Sequence, residues 1–286
     1  MEVAFEYPVV RLTYKSVGER QLSLYVFESL RKGTNRPAIL FLNGGSFSPQ
    51  PFFTAAQFQH QANFFSTLGM VGICVDYRNG ADAGFVPDQA IKDAKSAVRW
   101  VRDHSDELGI DPDRIAMCGA SAGGYVAVSS IMFDHLDDDV RENPTNAVPN
   151  SLIIFAAGMD GVDIMERLYP DLQGQAREMS PLHHIRQCLP PTLWMCGSSD
   201  GIFEQNRTFV ERMIEAGNRI DFIAYEGMEH GFFNYGRHEN KYYDETRTGM
   251  ERFVASTLLH GEKAQRGETL DDVDDNGDSD AARRML

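Results

Sequence analysis

The chain has 286 residues, 42% of them hydrophobic, and a formal charge of −15. That length and apolar content fill one large α/β core more simply than two small ones. The charge excludes a nucleic-acid backbone as partner, because neutralising phosphates takes a basic surface, and it works against polyanionic substrates for the same reason.

No apolar run approaches the length of a membrane span, and residues 1–7 carry two glutamates where a secretory leader would start basic and continue apolar. The chain as given is expected to be soluble and cytoplasmic, the alternative being a leader removed before this numbering begins. The four cysteines, Cys74, Cys118, Cys188 and Cys196, lack metal-ligand spacing. Three of them sit in apolar runs, which predicts buried free thiols, with a Cys188–Cys196 disulfide as the alternative.

In chain order, residues 9–14 and 22–27 read as extended, with Gly18-Glu-Arg between them, and predict an N-terminal antiparallel hairpin. Pro37-Ala-Ile-Leu-Phe-Leu42 is a continuous apolar run of the kind that fills a strand buried on both faces, and it stops at Asn43-Gly44-Gly45-Ser46. Residues 50–68 predict a helix and 71–77 another buried strand. Over 88–108, Ile91, Ala94, Ala97, Val98 and Val101 fall on one helical stripe. Asp111-Pro-Asp-Arg114 reads as a turn, 115–120 as a strand and 123–133 as a helix.

The acidic stretch 134–150 predicts a surface excursion, and 151–157 returns as a strand. Residues 160–187 have no clean period and are expected to form a small cap or access wall. Pro190-Pro-Thr-Leu-Trp-Met-Cys196 is a strand leading into Gly197-Ser-Ser-Asp200; a helix over 203–216, a strand over 219–225 and a helix over 243–259 follow. Residues 1–261 thus read as one domain, and 262–286 as an acidic, apolar-poor, disordered tail. The alternation of strands and helices predicts a mostly parallel sheet with right-handed crossovers, flanked by helices.

Within that frame, Gly119-x-Ser121-x-Gly123 carries the first sign of chemistry. The pattern alone occurs by chance in roughly one chain in ten of this length. Placed between a strand and a helix it becomes a sharp elbow that lifts a serine hydroxyl out of the sheet. A serine hydroxyl needs a neutral imidazole to take its proton, and the imidazole needs a carboxylate to hold its tautomer. His230, in Glu229-His-Gly-Phe232 directly after a strand, is placed on the sheet edge that carries Ser121.

His60 and His104 fall in predicted helices, His135 and His238 in polar loops and His260 at a helix end, so all five read as solvated or capping. His183 and His184 are candidates to line the pocket. Asp200 ends a strand on the same edge, and the order Ser121, Asp200, His230 is that of a nucleophile-elbow triad; Glu204 and Asp160 are the fallback acids. The oxyanion of a tetrahedral intermediate needs donors, for which the amides of Ala122, Gly44 and Gly45 are the candidates; the double glycine read alone is only a turn.

Together these segments resemble the α/β-hydrolase esterase/lipase group, near the acetyl esterases, the bifunctional acetylxylan/feruloyl esterases and the hormone-sensitive-lipase-like enzymes. The resemblance covers about residues 22–259. It rests on Asn43-Gly-Gly-Ser46 where the group has His-Gly-Gly-Gly, on Asp76-Tyr-Arg78, on Gly109-Ile-Asp-Pro-Asp-Arg-Ile115, on Gly119-Ala-Ser-Ala-Gly-Gly124, on Gly197-Ser-Ser-Asp200 and on Glu229-His-Gly-Phe232. It implies a serine carboxylesterase acting through an acyl-enzyme on short-chain esters of small alcohols or sugars, with no metal or organic cofactor. An amidase or peptidase on the same fold, and a non-catalytic hydrolase-fold binding protein, are the alternatives. Asn43 and Ser46 depart from the group's pattern and put the oxyanion loop's anchoring in question.

Overall fold

The computed structural model describes residues 3–27, 33–48 and 54–259. The expected tail at 262–286, His260 and the first part of the predicted 50–68 helix lie outside these residues. The described strands form one eight-stranded sheet in the order β1-β2-β4-β3-β5-β6-β7-β8. β1 (Val10–Val17) and β2 (Arg20–Phe27) make the N-terminal antiparallel hairpin, and β2 pairs antiparallel with β4 (Val71–Val75). From there the ladder is parallel through β3 (Arg36–Leu42), β5 (Ile110–Ala120), β6 (Ser151–Phe155), β7 (Thr192–Gly197) and β8 (Ile220–Tyr225).

The apolar runs of the central strands are continuous because both faces of the sheet are covered. Successive β3 residues alternate between two cores: Leu40 and Leu42 join one with Ile73, Met117 and Ile154, whereas Ile39 and Phe41 join the other with Cys74, Cys118 and Ile153. The first core is closed by α2 (Pro87–Asp103) and α4 (Ala122–Met132), the second by α1 (Gln59–Thr67) and α7 (Lys241–Val254). Every residue of α4 is buried. Its sequence is accordingly apolar almost all round rather than on one stripe.

Several elements differ from the sequence reading. The predicted 50–68 helix contains, in its described part, a 3-10 turn at Ala55–Phe58 followed by α1. The stripe over 88–108 breaks at His104, leaving α2 and a single turn, α3 (Ser105–Leu108). Asp111–Arg114 is no turn between elements but an irregularity inside β5, whose pairing with β3 shifts register between Arg36 and Ala38. The segment after β6 holds α5 (Gly161–Leu168) and 3-10 turns at Pro170–Gln175 and Pro181–His183, elements too short to set up a period. A helix over 203–216 is observed as α6 (Phe203–Glu215). No helix among the described residues is long and apolar enough to cross a membrane.

The cysteines are all free; Cys74, Cys118 and Cys196, the three in apolar runs, are buried, and Cys188 is exposed. Burial pushes the Cys196 thiol up to about 12 and raises those of Cys74 and Cys118 as well. A thiol held protonated is a poor nucleophile. Titration of the native protein with an aromatic disulfide reagent at pH 8 is therefore expected to consume one thiol rapidly, Cys188, out of the four that react after denaturation. Two or more fast thiols in the native protein would contradict this burial pattern.

Candidate active site

Ser121 stands between the last residue of β5 and the first of α4, at φ 51° and ψ −117°. A non-glycine residue there is strained, and the surrounding backbone holds it: its amide donates to the Phe155 carbonyl at 2.9 Å and its carbonyl accepts from Tyr125 at 3.0 Å. The following turn packs so closely on the end of β3 that a Cβ on Gly123 would lie 2.3 Å from the Leu42 carbonyl oxygen and 2.4 Å from that of Asn43. Only glycine fits, which explains the spacing of the motif.

Asp200 lies in the turn after β7. Its side chain is buried, with Oδ1 accepting from the Ile202 amide at 3.1 Å and Oδ2 lying 2.7 Å from His230 Nδ1. A carboxylate only accepts, so Nδ1 carries the proton and Nε2 is left as the basic nitrogen. The loop bearing His230 meets the end of β7 where Gly197 leaves no room for a side chain, since a Cβ there would stand 2.1 Å from the Met228 carbonyl oxygen. His230 itself is half-exposed, and Arg237 Nη1 donates to its carbonyl at 3.1 Å.

Ser121 and His230 both line two adjoining cavities. The first, of about 260 Å³, is walled largely by apolar side chains, among them Phe47, Tyr125, Ile164, Leu168 and Ile202, with Arg167 also lining it. The second, of about 140 Å³, is bounded by the glycine loop and by Gln57, Asn234 and Arg237. Among the described residues no hydrogen bond joins Ser121 Oγ to His230. Such bonds are often loose in an unliganded site and tighten around the substrate.

The glycine loop corrects one assignment. The Gly44 amide is occupied, donating to Gln57 Oε1 at 2.7 Å, and is not available to an oxyanion. The next two peptide units are pinned by their carbonyls instead: Gly44 O accepts from Asn43 Nδ2 at 2.8 Å and Gly45 O from the Ser48 amide at 2.9 Å. In a trans peptide the N–H points away from its carbonyl, so the Gly45 and Ser46 amides are turned to the opposite side. Neither they nor the Ala122 amide donates to an acceptor among the described residues. Ser46, a departure from the expected pattern, holds a positive φ of 52°.

The remaining candidates are placed elsewhere. Glu204 pairs with Arg207 and Asp160 caps α5 through the Val162 amide, so neither fallback acid reaches His230. His183 contacts Ser180, and His184 packs on Phe133; neither lines the two cavities. His60 is not solvated. It is buried, shares a 2.8 Å hydrogen bond with the Tyr7 hydroxyl and stacks on Tyr235 at 3.7 Å, and burial lowers its pKa below the usual imidazole value. His104 stacks on Trp100, His135 is exposed and His238 pairs with Glu229. Gln57, Asn234 and Arg237 were not legible from spacing, because a packed 3-10 turn and a long loop bring them to the site. Among the described residues no three His, Cys, Asp or Glu side chains converge as metal ligands would.

A family model described as the alpha/beta hydrolase fold matches residues 39–234. Esterase 2 of Thermogutta terrifontis has a similar solved structure, with 34% identity and a TM-score of 0.80 over 87% of this chain and 94% of that one. The carboxylesterase NlhH of Mycobacterium tuberculosis is 26% identical over 222 residues, 70% of this chain and 68% of its own. A probable isoprenylcysteine alpha-carbonyl methylesterase of Arabidopsis thaliana is 26% identical over 256 residues, 78% of this chain and 51% of its own. The chain spans about half or less of the length of the first curated relatives it matches.

Proposed function

The chain belongs to the α/β-hydrolase fold family, and from that premise we propose that it is a serine carboxylesterase acting on short-chain acyl esters through an acyl-enzyme. The observation that carries this reading is the 2.7 Å hydrogen bond from His230 Nδ1 to a buried Asp200, in the cavity that the strained Ser121 opens into. Ser121 Oγ attacks the ester carbonyl while His230 Nε2 takes its proton. The amides of Gly45, Ser46 and Ala122 donate to the oxyanion, aided by the positive end of α4. His230, its imidazolium stabilised by Asp200, returns the proton to the departing alcohol; water then attacks the acyl-enzyme by the same route in reverse order.

The acyl range follows from size. A cavity of about 260 Å³ is smaller than the roughly 300–1,000 Å³ that holds drug-sized ligands. In keeping with this, solved structures of the Thermogutta esterase include propionate-bound and butyrate-bound forms. For the p-nitrophenyl esters from acetate to palmitate, kcat/KM is expected to peak between acetate and butyrate and to fall at least about tenfold by octanoate. A flat profile to palmitate would contradict this reading, as would turnover of p-nitroanilides at the rate of the esters. Arg237, on the wall of the second cavity, is a hydrogen-bond donor suited to an oxygen-rich alcohol, such as a sugar. Faster acetate release from acetylated xylose than from ethyl acetate is the corresponding result.

A further inference from the structure

Gln57 stands between two loops that must stay in register for the reaction proposed above. Its Oε1 accepts from the Gly44 amide at 2.7 Å, on the loop that presents the Gly45 and Ser46 donors. Its Nε2 donates to Asn234 Oδ1 at 3.0 Å, and Asn234 Nδ2 in turn donates to the Gly231 carbonyl at 2.9 Å, one residue from His230. The 3-10 turn that carries Gln57 is itself fixed. Thr54 accepts from both the Ala56 and Gln57 amides, and the neighbouring Phe58 stacks against Phe41 of β3 at 5.5 Å and Phe233 of the His230 loop at 6.1 Å.

We propose that Gln57 is a positioning residue for the esterase reaction, a strut that spans the oxyanion loop and the general-base loop and holds the amide donors at a fixed distance from His230. It borders the second cavity, but its side chain bonds neither Ser121 nor His230. Its two amide functions are spent on the two loops, and both are needed: one end must accept and the other must donate. This is why a glutamine, and no apolar or purely acidic residue, suits the place. Loss of the strut misplaces the donors that act in the transition state, so its effect falls more on kcat than on KM.

The inference rests on the esterase reading, so the test carries its own control: wild-type turnover of p-nitrophenyl butyrate that Ser121→Ala abolishes. Against that background Gln57→Leu is expected to lower kcat about 10- to 100-fold with KM changed less than about threefold. Gln57→Glu, whose carboxylate still accepts the Gly44 N–H, is expected to keep more of the activity than the leucine variant. Asn234→Ala, which cuts only the far end and serves where Gln57→Leu does not fold, is expected to lower kcat in the same direction. Combined with Gln57→Leu it should add little, since one strut cannot be broken twice. The strut is overturned, with the esterase reading left standing, where a cooperatively melting Gln57→Leu or Asn234→Ala keeps kcat within twofold of wild type. It is equally overturned where the leucine and glutamate variants are equal or the Gln57 and Asn234 effects multiply.

Discussion

Alanine at position 121 is expected to lower kcat on p-nitrophenyl acetate about 10⁶-fold, the cost of removing a serine nucleophile that works as one unit with its base. The expected loss is large because in the proposed reaction Ser121 supplies the hydroxyl that forms the acyl-enzyme, and neither Ser46 nor another hydroxyl adjoining His230 stands at the elbow. Residual catalysis then comes only from the oxyanion donors and binding. The fold should survive, because Ser121 Oγ makes no hydrogen bond among the described residues and the strained backbone is held by Phe155 and Tyr125. Steady-state kinetics beside a thermal melt separate the two. A folded variant keeping more than about 1% of wild-type kcat would place the nucleophile elsewhere.

Asparagine at position 200 is expected to lower kcat about 10⁴-fold while leaving KM and the melting temperature near wild type. The two side chains have the same shape, and the asparagine oxygen can still accept from the Ile202 amide, which lies 3.1 Å from Asp200 Oδ1 in the native protein. What changes is the group facing His230 Nδ1, now an amide N–H₂ in place of the carboxylate oxygen at 2.7 Å. A donor there forces the proton onto Nε2, so the nitrogen meant to receive the serine proton is already occupied. The side chain of Asp200 is 3% exposed, so water has little access to substitute for it. A loss below about tenfold would mean that the imidazole is oriented by something other than this carboxylate.

The parts of the architecture that can be read from residues alone are those where burial is complete. β3 is a strand because each of Ala38 to Leu42 meets one core or the other, and nothing but an unbroken apolar run satisfies both. The elbow is legible for a related reason: Gly123 has no space for a Cβ, so steric exclusion is written directly as residue type. Asp200 and His230 follow because both sit just beyond parallel strands, whose ends the topology brings to one edge.

What depends on side chains reaching across loops was not legible. The glycine loop shows this in a single residue: a double glycine identifies the loop, but only the structure shows that the Gly44 amide donates to Gln57, which is why the proposed donors are Gly45 and Ser46. His60 misled in the same way. Its place in a predicted helix suggested a solvated side chain, whereas the N-terminal Tyr7 and the distant Tyr235 enclose it. The segment from Asp160 to His184 lacked a legible period because the apolar face that Ile164 and Met165 bury belongs to a single eight-residue helix, followed by two 3-10 turns that do not continue it.

The most direct test of the central claim is to identify the residue that an organophosphate ester modifies. Solved structures of the similar Thermogutta esterase include one phosphorylated by paraoxon. Treatment of this protein with paraoxon, followed by proteolysis and mass spectrometry, is expected to place one diethylphosphoryl group per chain on Ser121, with esterase activity lost in proportion to labelling. Label on another residue accompanying the loss, or full activity after Ser121 is modified, would contradict the assignment of Ser121 as the nucleophile.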